Sequence, residues 1–152
     1  MSDYMMDLRK LVGSRPIFQN GASVIVLNEH NQILMGLRSD NHCWGYAGGS
    51  IELGENLQEA GARELYEEFN LTANHLEFFG VFSGQELYYK YPNGDEVYNI
   101  DSVFICRDFE GIPKADGHEL TEARWFDLDD LPENISPPIV TIIKKFVHEF
   151  RD

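Results

Sequence analysis

The stretch GGSIELGENLQEAGARELYEEFNL, running from Gly48 to Leu71, decides how the chain folds. In its second half Leu57, Gly61, Leu65 and Phe69 recur every four residues, as the buried face of a helix does. Asn56 followed by Glu59 has the spacing of an N-cap and its reciprocal partner, each side chain satisfying a backbone N–H of the first turn. Asn70 falls just past the apolar stripe, and Asn is one of the few non-glycine residues that tolerates the left-handed conformation ending a helix. The spacing therefore predicts a helix over 57–69. Ahead of it, Asn41 to Glu55 carries Gly45, Gly48, Gly49 and Gly54, which predicts a shaped loop.

This helix is unexpectedly acidic. Glu64, Glu67 and Glu68 are related by i, i+3 and i+4, which puts their carboxylates on one side of its last turns, where they are expected to converge. Each like-charged pair at that spacing costs roughly 0.2–0.5 kcal/mol, and the negative end of the helix dipole adds to the cost. A solvated acidic face is one reading of such a pattern. A divalent cation is the other, because clustered carboxylate oxygens suit Mg²⁺ or Mn²⁺ and no soft ligands accompany them. Arg63, beside Glu64, favours the second reading, since its planar fork can orient carboxylates, and so does a glycine-rich loop able to bring backbone close to a phosphate.

Working outward, Gly21 to Leu27 and Gln32 to Leu37 are apolar runs separated by Asn28-Glu29-His30-Asn31, which predicts a hairpin. Leu76 to Phe82 and Glu86 to Tyr91 predict strands, and Pro92-Asn93-Gly94-Asp95 a turn into a further strand, Glu96 to Cys106. Ala123 to Phe126 predicts one more. Met5 to Leu11 and Ile139 to Phe150 have helical spacing. With no repeat or linker, these elements make one domain over residues 1–152, most simply one mixed sheet covered by helices.

The chain has 152 residues, 43% of them hydrophobic, enough for one packed core. Its formal charge of −14 opposes duplex nucleic acid and anionic membranes, since phosphate backbones are bound by neutralising cations. A small phosphorylated ligand then needs a cation to bridge it to so acidic a protein. Cys43 and Cys106 form no CxxC and are expected to be reduced thiols. No run reaches the roughly 18 apolar residues of a membrane span, and Met1 to Lys10 lacks a signal-peptide core, so a cytoplasmic protein is expected.

Gly49, Glu55, Arg63, Glu64, Leu65, Glu67, Glu68 and Leu71 together resemble the Nudix box, which covers residues 49–71. The one departure is Asn70, where the MutT-like Nudix hydrolase family usually has glycine, and Asn can adopt the same positive-φ stop. Trp44-Gly45-Tyr46-Ala47-Gly48 is similar to the family's entry loop, with Ala47 in place of a frequent proline. The resemblance implies an α/β/α sandwich around a central mixed sheet. It also implies Mg²⁺-dependent hydrolysis of the diphosphate bond of a nucleoside diphosphate linked to a moiety X, Mn²⁺ being a substitute cofactor.

Carried over by position, Glu67 and Glu68 match metal-binding carboxylates, Glu64 a metal ligand or general base, and Gly48 a carbonyl completing the metal shell. Arg63 matches an arginine that orients the carboxylates, and Glu55 an acid bonded to it. Glu119 resembles the loop acid that serves some members as base, with Glu122 and Glu96 as weaker choices. Trp44, Tyr88 and Tyr89 are expected at the substrate. The tyrosines lie 17 and 18 residues after Leu71, a spacing resembling that of members acting on dinucleoside polyphosphates. Members acting on ADP-ribose often carry a proline at the place of Glu86 and Leu87. The expected partner is a small nucleotide, tilted toward nucleoside or dinucleoside polyphosphates. ADP-ribose or nucleotide sugars are the alternative, followed by a silent nucleotide sensor. An acidic calcium-binding domain lacks an EF-hand spacing. A homodimer stays open.

Overall fold

A computed structural model describes residues 3–150. In chain order it contains α1 (Tyr4–Val12), β1 (Ile17–Val26), β2 (Gln32–Arg38), β3 (Trp44–Gly45), β4 (Ala47–Ser50) and α2 (Leu57–Phe69). It continues through β5 (Thr72–Phe82), β6 (Tyr88–Lys90), β7 (Glu96–Glu110), β8 (Leu120–Asp127) and α3 (Val140–Phe150). The central sheet is mixed and runs β4-β1-β7-β5, with β6 pairing the start of β7. β1 and β7 are parallel, and the other pairs are antiparallel. A second, antiparallel sheet runs β3-β2-β8.

The expected hairpin of the first two long strands is not formed. The turn itself is there: the Asn28 side chain accepts from the N–H of His30 and of Gln32, at 3.0 and 2.9 Å, and Asn31 has a φ of 60°. But β4 and β7 already occupy both edges of β1, so β2 has no ladder to join. Only the bridge Leu27–Ile33 links the two, and β2 seeds the second sheet. Glu86 to Tyr91 also differs from expectation. Its first part, with Gln85, forms a 3-10 turn over Gln85–Leu87, closed by the Leu87 N–H on the Gly84 carbonyl at 3.1 Å, leaving a three-residue β6.

Alternation along the strands builds two apolar layers. Val24, Val26, Leu34 and Cys106 meet Leu65 and Phe69 of α2 on one side, while Ile25, Ile33, Met35, Val103 and Ile105 meet Ile142, Ile143 and Phe146 of α3 on the other. The result is the α+β sandwich with a central mixed sheet. Helix α2 has both of its anticipated ends. Asn56 and Glu59 form a capping box, and Asn70 stops the helix in the left-handed conformation at φ 62°. No helix of the described residues is long and apolar enough to cross a membrane.

Candidate active site

Arg63 organises the acidic end of α2. Its Nε and Nη2 donate to the two oxygens of Glu55 at 2.7 and 3.0 Å, Nη1 donates to Glu64 and Glu67 at 2.8 and 2.9 Å, and Nη2 also reaches the Ser50 carbonyl at 3.1 Å. Five contacts match the five N–H donors of a guanidinium. That pairing holds the Glu55 carboxyl below its usual range.

The helix brings Glu64, Glu67 and Glu68 to one side but not to one point. Arg63 stands between Glu64 and Glu67, and Glu68 turns inward, 3% exposed, where it accepts the Gly48 N–H at 2.9 Å. Among the described residues no three acids share a ready-made cation position. The expected direct convergence is thus corrected, because an arginine satisfies two of the acids at close range. Burial pushes Glu64 up to about 7 against the pull of Arg63, with Glu67 and Glu119 adding to the rise. Burial, then Glu64, raise Glu68 well above the usual carboxylate range.

β4 supplies the opposite wall. A Cβ on Gly49 would lie 2.2 Å from Glu64 Oε2, and one on Gly48 would lie 2.3 Å from Ser23 Oγ. Glycine at 49 lets Glu64 lie against backbone, and glycine at 48 leaves room for Ser23. Glu119 joins the same groove from the loop before β8, which Asp116 shapes by accepting from the N–H groups of His118 and Leu120 at 3.0 and 2.9 Å. The groove holds about 660 Å³, lined by Arg63, Glu64, Glu67, Glu119 and His118, with Met5, Met6 and Arg9 of α1 on its far rim. Glu122 pairs with Arg124 and Glu96 with Tyr88, and neither lines the groove.

A smaller cavity of about 120 Å³ continues from it. Gln19, Arg38, Gly48, Gly49 and Tyr91 line both spaces. Deeper in are Ser23, Tyr46, Leu87, Tyr89, Asn99, Asp101 and Ile139. Arg38 stands at the junction, its Nε and Nη2 on the two oxygens of Asp40 at 3.0 and 2.8 Å.

Of the three aromatics expected at the substrate, one lines this cavity. Tyr89 lines the cavity, edge-on to Tyr91 at 4.9 Å, and its hydroxyl accepts from Asn41 at 2.8 Å. Tyr88, one step along β6, faces away, packing on Tyr98 at 5.2 Å and donating to Glu96. Strand alternation forbids both from pointing into the cavity. Trp44 is 7% exposed and lies in the core, edge-on to Phe126 at 5.0 Å with Arg124 over its ring. Its position in the second sheet turns the ring from the loop surface into the layer beneath α3.

Arg38, Tyr46, Asn99 and Asp101 were not singled out by sequence. Asp101 carried a signal nonetheless, as an acid inside the apolar run Ile100 to Cys106. Burial raises its pKa, while hydroxyl bonds from Ser23 and Tyr46 pull it back.

A NUDIX domain profile matches residues 17–150, and the chain belongs to that family. Among related proteins, it is 34% identical over 111 residues to the ADP-ribose pyrophosphatase of Methanocaldococcus jannaschii, covering 71% of this chain and 62% of that one. The match thus spans less than two thirds of that relative's length. It is 33% identical over 116 residues to a putative 8-oxo-dGTP diphosphatase of Bacillus subtilis, covering 76% of this chain and 71% of that one. Among solved structures, a MutT NUDIX hydrolase from Burkholderia pseudomallei has a TM-score of 0.72 at 22% identity, over 86% of this chain and 97% of that one. An Ap4A hydrolase of C. elegans in a binary complex has a TM-score of 0.66 at 18% identity, over 88% and 98%. At these identities the structural likeness is one of fold.

Proposed function

We propose that the chain hydrolyses the diphosphate bond of a nucleoside polyphosphate. The base sits in the small cavity and the phosphates pass over Gly48 and Gly49 into the acidic groove. The observation that carries this reading is the continuity of the two spaces, five residues lining both. Family membership supports the reaction class, and the relative named a putative 8-oxo-dGTP diphosphatase supports the substrate class.

The residues fit a divalent cation. Arg63 uses Oε1 of Glu64 and of Glu67, and the Gly48 N–H uses Oε1 of Glu68, so one oxygen of each acid is left without a hydrogen bond. Burial first, and then the neighbouring acids, raise the carboxyls of Glu64 and Glu68, and a bound cation would favour their charged forms. All the donors are hard oxygens, which suits Mg²⁺ or Mn²⁺. Glu67, Glu68 and the Gly48 carbonyl would hold the ion, with Glu64 beside them. Such an ion supplies neutralisation of phosphoryl charge and alignment of the attacking water.

The chain's own groups do the rest. Arg63 fixes Glu64 through Oε1, leaving Oε2 beside Gly49 to accept the proton of the attacking water. Glu119, across the groove, is the second acid within reach of that water. Arg38 at the junction puts positive charge beside the phosphate path.

The ADP-ribose reading is kept by the Methanocaldococcus relative's name. A panel of nucleoside triphosphates, oxidised triphosphates, dinucleoside polyphosphates, ADP-ribose and nucleotide sugars, assayed with Mg²⁺, tests the proposal. Release of mononucleotide from triphosphates or dinucleoside polyphosphates is expected. Faster turnover of ADP-ribose would replace the substrate class, and binding without turnover across the panel would replace the enzyme with a sensor.

A further inference from the structure

Asp101 stands where an acid is expensive. It lies in β7, 8% exposed, paired in register with Gly21 of β1 and with Phe82 of β5. Its Oδ1 accepts from Ser23 Oγ at 2.7 Å and its Oδ2 from the Tyr46 hydroxyl at 3.2 Å. A carboxylate offers about four acceptor positions, so two hydroxyls leave it half satisfied. Burying a carboxylate in that state is costly unless something else donates to it. No cation takes the role: Arg38, the one cation lining the cavity, is committed to Asp40. The unused acceptor capacity belongs to the cavity that Asp101 lines.

The same cavity holds a second fixed acceptor. Asn99 donates its Nδ2 to the Leu87 carbonyl at 3.0 Å, which turns its Oδ1 the other way. Tyr89, Leu87 and Ile139 provide flat or apolar walls. The space is thus built to stack a ring and to accept N–H groups from its edge, which is how proteins read an unpaired base.

We propose that Asp101, held by Ser23 and Tyr46, reads the base and selects a guanine-type ring by accepting its adjacent N1–H and N2–H groups. Guanine presents two neighbouring donors on that edge. Adenine and cytosine each set a ring-nitrogen acceptor beside their amino group, and uracil flanks one N–H with two carbonyls, so each of them turns a lone pair toward a carboxylate oxygen. A site built to pair with a donor rejects a ligand lacking it, because its own buried group is then left unpaired. This rests on the cavity taking the base, as proposed above.

The test compares kcat/KM for GTP, ITP, ATP and UTP with Mg²⁺, in the wild type and in Asp101→Asn. The wild type is expected to favour GTP over ITP, which lacks the 2-amino group, by about tenfold, and over ATP by about 10- to 100-fold. Asp101→Asn replaces one acceptor oxygen with a donor at constant size. It is expected to lower kcat/KM for GTP by about 10- to 100-fold, mostly through KM, and to collapse the GTP/ATP ratio. A merely structural role for Asp101 would lower all four substrates together. Equal wild-type values for GTP, ITP and ATP, or an unchanged ratio in the variant, would overturn the proposal, and the wild-type comparison needs no variant to fold. Should the wild type hydrolyse none of them, nucleoside triphosphates fall as the substrate class by themselves. Calorimetry with GMP, IMP and AMP then reads the same preference, and equal affinities would overturn the role of Asp101.

Discussion

Glu68 and Asp101 are both acids withdrawn from water, at 3% and 8% exposure, and they are buried in opposite company. Glu68 has the acids Glu64 and Glu119 as charged neighbours, with Arg38 the weaker opposing charge, and one backbone N–H as donor. Asp101 has two hydroxyl donors and no acid among the causes of its shift. The first environment is dry and holds more negative charge than Arg38 offsets, which a bound cation would balance. The second lacks hydrogen-bond donors, which an uncharged ring can supply. On the proposed reading, two sites of one nucleotide differ in what each buried carboxylate is missing.

The largest way to break this contrast is Glu68→Gln. Removing the charge is expected to lower kcat by about 100-fold or more, as losses of charge-stabilising groups at reacting centres do. Thermal stability without metal should stay level or rise, because a repulsive pair is relieved. A folded variant with near wild-type turnover would sink the metal assignment. Next is Gly49→Ala. Its Cβ would meet the Glu64 carboxylate at 2.2 Å, and that side-chain end can swing aside, so the fold should survive while kcat falls by about tenfold or more. Circular dichroism and steady-state kinetics separate the two effects.

A smaller effect is expected in the pH dependence of stability. Glu64 is raised from 4.5 to about 7 in the folded chain, so the folded state binds that proton more tightly than the unfolded one. The Glu64 contribution to metal-free stability should therefore be fullest below about pH 4.5 and be lost as pH rises through about 7. Denaturant titrations in chelator would show it, and added Mg²⁺ should raise the midpoint more at pH 7.5 than at pH 5. A flat metal-free profile would remove Glu64 from the strained set. The smallest effect belongs to Tyr88→Phe, which faces away from the cavity and should change KM by less than about twofold, whereas Tyr89→Ala should raise it.

Helix α2 was legible to within a residue because everything that defines it is local: a cap three residues from its partner, a period of four, and a left-handed asparagine. Arg63 was legible from its place beside Glu64, whereas its pairing with Glu55, eight positions away, was implied by the resemblance to the Nudix box. Strand pairing was not. Nothing between Gly21 and Leu37 reveals that distant β7 and nearby β4 claim both edges of β1. Trp44 and Tyr88 failed likewise, since which side of a strand faces a cavity depends on what packs against the other side. Arg38 and Asp101 were passed over because each stands alone in its own segment and acquires neighbours only through the sheet.

That difference in span carries over to folding order. Gly48 and Glu68, on the phosphate side, are 20 residues apart, a loop short enough to close early and at small entropic cost. Ser23 and Asp101, on the base side, are 78 apart and meet only when the parallel β1–β7 ladder forms. Contacts of such separation slow folding and are the costliest in chain entropy. The chain is therefore expected to assemble its acidic helix and loop before it can recognise anything. The proposed base selectivity would then be the last property acquired on folding and the first lost when that ladder loosens.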